Sequence, residues 1–308
     1  MRRLTVAAVA AATVLVATGC LTPLRSQPSL TPVPTPARPL VGVYAPGAPG
    51  SWSPITEFTD ATGIKPGIVV YYSSWNEPFS TSFAQAAWDH DAYVLVQLQP
   101  SGVSLASIAA GSSDAYLRGY AAAVVAFGHP VILSFGHEMN GNWYSWGDGH
   151  MPPATFVAAW QHIVRVFRAA GAANATWLWA VNSIEGEGAA SSLSQWWPGA
   201  AWVNWTGVDG YYYQAADTFG SVFGSTVVAI RAFSSAPLLI AETAVGTTAD
   251  RQSQIDALLA GVRAERLAGV VWFDEAQHAG LYHQDWRLED DPAALAAFTA
   301  AVATYLGR

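Results

Sequence analysis

From position 40 onward the chain alternates short apolar runs with longer stretches whose apolar residues recur every three or four positions. The short runs, 40–44, 67–72, 92–97, 131–135, 175–181, 203–211, 237–241 and 269–273, have the length and character of buried strands. The longer stretches, 80–89, 114–127, 153–170, 250–265 and 292–306, predict helices. Within 153–170, Phe156, Trp160, Ile163 and Phe167 share one face at steps of four, three and four. Strand–helix alternation is the signature of an α/β fold. Eight strands spread over residues 40–308 predict one domain built as a (β/α)8 TIM barrel. A doubly wound open sheet would want a glycine-rich phosphate turn behind the first strand. The segment 42–50 has the glycines but also Pro46 and Pro49, and the pattern predicts no helix directly behind it, so that fingerprint fails.

A barrel makes a prediction about place: functional groups belong at the C-terminal ends of the strands. Polar residues gather there. The third run ends on Gln97 and Gln99, the fourth on His137-Glu138, the fifth on Asn182, the sixth on Asp209-Gly-Tyr211, the seventh on Glu242 and the eighth on Trp272-Phe-Asp-Glu275. The densest stretch is 131–147. There a buried strand turns abruptly into His137, Glu138, Asn140 and Asn142, then into Trp143, Tyr144 and Trp146. A carboxyl group at a strand end handles protons, and flat indoles stack on the apolar faces of pyranose rings.

Hydrolysis of a glycosidic bond needs two carboxyl groups across the linkage. Glu138 and Glu242 are the best pair, because each directly follows a buried strand and strands 4 and 7 face each other across a barrel mouth. A separation of about 5–5.5 Å would mean retention of anomeric configuration through a covalent intermediate. Glu138 is then the acid and later the base, with a raised pKa, and Glu242 the nucleophile. Tyr211 stands where it can donate a hydrogen bond to Glu242, and Trp272 is the expected sugar contact on strand 8. Glu275 is the alternative nucleophile. Glu185 and Glu187 fall in a glycine-containing loop and read as solvated. Glu77 either lines the cleft or caps a turn.

Composition narrows the choice. Charged residues make up 12% and hydrophobic residues 52%, so a large core is expected. The net charge of −8, with no basic cluster beyond Arg2-Arg3, removes the electrostatic footprint of nucleic-acid binding. His90, His129, His150, His162, His278 and His283 show no metal-ligand spacing, and no cofactor or metal is expected. No Gly-x-Ser-x-Gly elbow supports a serine hydrolase. The 14 tryptophans suit either a core or an extended sugar cleft.

Residues 1–20 have the form of an export signal: Arg2-Arg3, an apolar run from Leu4 to Val16, and then Val16-Ala-Thr-Gly-Cys20. That ending resembles a bacterial lipobox, so Cys20 is the expected lipidation site and the protein an extracellular, cell-surface lipoprotein. Ordinary cleavage nearby, giving a secreted protein, is the alternative. Cys20 is the only cysteine, which excludes an internal disulfide and a thiol nucleophile. Residues 21–39, rich in Pro, Ser and Thr, predict an extended tether. The membrane is expected as a partner only through the lipid, and nothing in the chain points to an obligate assembly, so a monomer is expected.

The run His137-Glu-Met-Asn-Gly-Asn-Trp-Tyr-Ser-Trp-Gly147 resembles the acid/base segment of glycoside hydrolase family 26, a family of retaining (β/α)8 enzymes in which a His precedes the catalytic acid. Gly42-Val-Tyr44, Asp209-Gly-Tyr211, Ala241-Glu242, Trp272-Phe273 and Asp285-Trp-Arg-Leu288 are similar to other segments of that family. The resemblance implies that His137 and Asn140 organise the site and that Trp143 stacks on the leaving-group side. It also implies that Tyr211 contacts the nucleophile and that Trp272 floors the subsite of the attacked sugar. It implies a polysaccharide substrate, first β-1,4-mannan cleaved by an endo-mannanase, with mixed-linkage β-1,3-1,4-glucan or xylan as alternatives. A non-catalytic carbohydrate-binding envelope lipoprotein is the alternative of another class.

Overall fold

The computed structural model of the protein describes residues 30–186, 188–189, 192–276 and 284–307. The export signal at 1–20, Cys20 and residues 21–29 lie outside the described residues, as do Glu187, His278 and His283. Eight parallel strands close into a barrel in sequence order: β1 (Leu40–Tyr44), β2 (Ile68–Ser74), β3 (Tyr93–Gln99), β4 (Val131–Phe135), β5 (Ala175–Asn182), β6 (Trp205–Asp209), β7 (Leu238–Thr243) and β8 (Gly269–Phe273). Among the described residues eight α-helices follow the strands: α1 (Ser53–Thr62), α2 (Thr81–Asp89), α3 (Leu105–Ala109), α4 (Asp114–Phe127), α5 (Pro153–Ala169), α6 (Ser225–Arg231), α7 (Arg251–Ala264) and α8 (Pro292–Leu306). This is the (β/α)8 barrel that the alternation predicts.

Strand residues divide by parity. Ile68, Val70, Leu95, Ile132, Leu178, Ala180, Leu239 and Val271 fill the barrel interior. Their neighbours, among them Val69, Val94, Leu133, Trp179, Ile240 and Val270, pack outward into the larger core under the helices. Strands buried on both faces carry apolar residues at both parities, which is why they read as continuous apolar runs rather than alternating ones.

The pattern predicts no helix after Pro49, yet α1 starts at Ser53. Its threonines are weak helix formers. Thr59 and Thr62 return their hydroxyls to the carbonyls of Ile55 and Phe58, and Ile55, Phe58 and Thr62 bury one face. Packing, not propensity, makes this helix. The short α3 and α6 also lie below what periodicity detects.

The expected tether also needs correction. Within 30–39, Val33 is buried and joins the interior cluster of the barrel, and its backbone amide donates to the Thr176 hydroxyl at 2.7 Å. Thr176 lies in the N-terminal half of β5. The segment therefore stops the floor of the barrel, and the folded unit begins before position 40. A single valine in a Pro-rich run carries no periodicity to announce this.

Candidate active site

Parity of β4 makes Ile132 and Ser134 face inward, and Gly136 would be next. Gly136 has φ 54°, and a side chain there would meet the Phe156 ring at 3.1 Å and the Trp146 ring at 3.2 Å. Glu138 follows with φ 53°, a left-handed conformation that a non-glycine residue adopts at a cost of roughly 1–3 kcal/mol. Four hydrogen bonds hold the turn: Gly136 N to Leu98 O at 2.9 Å, Glu138 N to Ala180 O at 3.0 Å, Gly141 N to Glu138 O at 2.8 Å, and Trp146 Nε1 to His137 O at 2.9 Å. Strain sustained this way at a buried acid is characteristic of functional sites.

The Glu138 carboxyl accepts from Asn182 Nδ2 at 2.6 Å on one oxygen and from Trp143 Nε1 at 3.0 Å on the other. Asn182 is itself fixed by Asn140. The Asn140 side chain donates to Asn182 O and accepts from Asn182 N, both at 2.8 Å. Asn140 thus acts through Asn182, a positioning role that the motif alone does not reveal. His137 is buried among Tyr72, Tyr144 and Trp146, and burial pushes its imidazole down to about 3. Burial thus favours the neutral ring.

Glu242 reaches the same cleft by a different device. In β7, Leu239 and Ala241 face inward, so strict alternation would send Glu242 toward the helices. The register breaks at that point. Val208 pairs with Ile240 but Asp209 pairs with Glu242, and on the other side Ile240 pairs with Val270 but Thr243 with Trp272. Strand β7 carries one extra residue against both neighbours. Such a bulge re-aims side chains, and here it turns Glu242 into the barrel mouth. Tyr211 donates to its Oε2 at 3.0 Å, and Gln97 Nε2 lies 3.5 Å from its Oε1. The Tyr72 hydroxyl makes no formed hydrogen bond but lies close enough to interact with the same carboxyl.

Glu138, Trp143, Tyr211 and Glu242 line one cleft of about 990 Å³, the upper end of the range for ligand sites. Both carboxyls are pushed upward. Burial is the main cause for each; the Glu138 charge adds to it at Glu242, while Asn182 and Trp143 oppose it at Glu138. Two like charges in one cleft oppose each other's ionisation, so the pair gives up its last proton above the range where isolated carboxyls lose theirs.

Trp272 is not part of this cleft. Val271 faces the barrel interior, so Trp272 points the other way. It packs on Phe298 of α8 at 5.1 Å and donates to Trp286 O at 3.0 Å. The strand-8 aromatic in the cleft is Phe273, whose ring stacks on Tyr44 at 4.7 Å. Trp286, from the segment before α8, also lines it beside Tyr211 at 5.0 Å. Counting parity back from the apolar Val271 would have found Phe273. Glu77 caps a turn, accepting from Ser74 N at 2.7 Å. Glu185 and Glu275 line the cleft. Among the described residues no group of three or more His, Cys, Asp or Glu is placed to hold a metal ion.

Asp209 lies beneath the pair, fully buried, with neither carboxyl oxygen hydrogen-bonded. Burial first, then the charges of Glu242 and Glu138, push it well above the carboxylate range. A carboxyl raised this way keeps its proton in the folded protein after the unfolded chain has lost it. Its stabilising share is full below the unfolded value near pH 4 and is lost as pH rises through the folded value. Asparagine does not titrate. Asp209→Asn is therefore expected to be more resistant to urea than the wild type at pH 8, by about 1 kcal/mol or more. The gap should shrink toward pH 5, and a gap that did not change with pH would remove Asp209 as its source.

The family model for glycosyl hydrolase family 26 matches residues 64–292. A curated relative, Endoglucanase H of Acetivibrio thermocellus, is 30% identical over 83% of this chain and 29% of its own length. The chain thus spans less than a third of that relative. Among solved structures, the modular endo-β-1,4-mannanase of Cellulomonas fimi superposes with a TM-score of 0.68 at 18% identity, covering 86% of this chain and 70% of that one. A family 26 β-mannanase from Bacteroides ovatus superposes with a TM-score of 0.66 at 12% identity, covering 88% and 91%. At these identities the structural likeness is one of fold.

Proposed function

The chain belongs to glycosyl hydrolase family 26, and on that premise we propose that it is a retaining endo-β-glycanase whose first polymer is β-1,4-mannan. The observation that carries this reading is the pair of buried carboxyls, Glu138 from the end of β4 and Glu242 from the bulge of β7, facing one cleft. Glu242 attacks the anomeric carbon as Glu138 gives its proton to the departing glycosidic oxygen. Glu138 then takes a proton from water, which attacks the same carbon and frees Glu242. Tyr211 and Gln97 steady the nucleophile by donating to its two oxygens. Trp143, 42% exposed and bonded to Glu138, supplies the stacking face on the leaving side.

Mannan comes first because the mannanases of Cellulomonas fimi and Bacteroides ovatus share the fold. A β-glucan is the second reading, favoured by the printed name of the 30%-identical relative, Endoglucanase H. Reducing-sugar release from mannan, glucomannan, lichenan and xylan separates them. Release from mannan is the expected result. Release from lichenan alone would transfer the assignment to glucan.

The N-terminal signal supports a second proposal, that Cys20 carries lipid and holds the protein at the cell surface. Val33 lies at the barrel floor, opposite the cleft, so a tether from Cys20 would leave the cleft facing outward. Cells fed labelled palmitate should mark the wild type and not Cys20→Ala. Equal labelling of both would end the proposal.

A further inference from the structure

Beyond the two reacting carboxyls Glu185, Asp217 and Glu275 also line the cleft, and the surroundings of Glu275 are those of a sugar-binding group. Phe273 and Glu275 both line the cleft, while Asp274 between them turns away from it and accepts from Leu288 N at 3.1 Å. Glu275 therefore stands on the same wall as Phe273 and about 7 Å further up it, two residues of extended chain. Its backbone carbonyl accepts from Trp286 N at 3.1 Å, and an isolated bridge joins Ala276 to Asp285. The wall is thereby fixed to the segment that carries Trp286. The Tyr44 ring lies flat on Phe273 and meets Tyr72 edge-on at 5.0 Å. Tyr44 lines the same cleft, and burial first, then the Glu275 and Glu242 carboxyls, push its hydroxyl upward.

No Lys, Arg or His lines the cleft among the described residues. Among the described residues that line the cleft Glu275 has no cationic partner, and a polysaccharide offers it hydroxyls as neutral donors. The side on which it does so follows from the barrel order. Glu138, Trp143 and Asn182 stand on β4, its loop and β5, and the leaving sugar departs there, where the proton is given. Strands β8 and β1 lie beyond β7, away from that side. Sugars over them belong to the part of the chain that stays bound to the nucleophile.

We propose that Glu275, aided by the Tyr44 hydroxyl, grips the hydroxyls of the sugar one position beyond the attacked one on the non-reducing side, and so sets which β-linked chain the cleft accepts. The inference rests on the hydrolase reading above. It makes Glu275 a specificity residue, not a reacting one.

The test compares 2,4-dinitrophenyl β-glycosides of one sugar with those of two, for both mannose and glucose. Glu275→Ala should lose about 10- to 100-fold in kcat/KM on the two-sugar substrate, mainly through KM, the worth of one hydrogen bond to a charged group. The loss on the one-sugar substrate should be several-fold smaller, because that substrate does not reach Glu275. Glu275→Gln should recover part of the difference, and Tyr44→Phe should lose in the same direction by less. An unchanged melting temperature excludes misfolding as the cause. Equal losses on both substrate lengths, or none on the longer, would overturn the proposal. No release by the wild type from any of the four would overturn the hydrolase reading and this one with it.

Discussion

Glu242→Ala is expected to lower kcat by about 10⁴-fold or more, on activated aryl glycosides as well as on polymer. A good leaving group relieves the need for an acid, but nothing replaces the atom that bonds to the anomeric carbon. The variant should fold. Its side chain is a buried carboxyl that burial and Glu138 push toward the neutral form, so removing it relieves a cost even as Tyr211 loses a partner. The deficit would then be chemical, and equal melting temperatures would establish that. A 2-fluoro sugar with an activated leaving group should add one sugar mass to the wild-type chain, on the peptide bearing Glu242. The variant should add none. Near-normal turnover, or a label on the peptide bearing Glu275, would transfer the nucleophile's role to that neighbouring acid.

How Glu242 comes to point inward shows where sequence patterning ends. The apolar runs place all eight strands, because strands packed on both faces leave an unmistakable hydrophobic record. They also place Glu138 and Glu242 at strand ends. They do not say which way an end residue faces. At β8 simple parity decides, and it turns Trp272 outward and Phe273 inward. At β7 parity fails, because the extra residue in the bulge reverses it and nothing in Leu-Ile-Ala-Glu marks the insertion. A rule that corrected strand 8 would have misplaced Glu242.

The tryptophans carry a similar lesson. Their number suits a sugar cleft, yet Trp160, Trp179, Trp196, Trp205 and Trp272 are core, and only Trp88 and Trp143 are strongly exposed among the described residues. The indole that meets the acid is identifiable from its place in the strand-4 motif, not from the count. Asn182 and Asp209 were visible as polar strand ends, but their tasks depend on bonds and burial that no linear pattern encodes. Asn140, which the resemblance places in the site, meets Glu138 at one remove, through Asn182.

Glu138→Ala is the variant whose kinetics separate acid from base. On polymer, whose leaving oxygen is poor, the loss should be about 10²–10⁴-fold, the usual worth of a positioned proton donor. On a dinitrophenyl glycoside the first step needs no proton and should remain fast. The second step lacks its base, so the covalent intermediate should accumulate and release of dinitrophenol should begin with a burst. Azide, a nucleophile that carries no proton to remove, should then restore turnover and yield a glycosyl azide with retained configuration. The pH profile supplies an independent check. In the wild type, activity should fall on the alkaline side when the pair loses its shared proton. Because burial raises both carboxyls, that fall should lie above the ordinary carboxylate range. Removing Glu138 removes the acid whose ionisation causes it, so the variant acting on the activated substrate should show no alkaline limb. His137 is not expected to contribute near neutrality, since burial pushes its ring down to about 3. An alkaline limb that survived in Glu138→Ala, with no azide product, would place the proton donor on another residue.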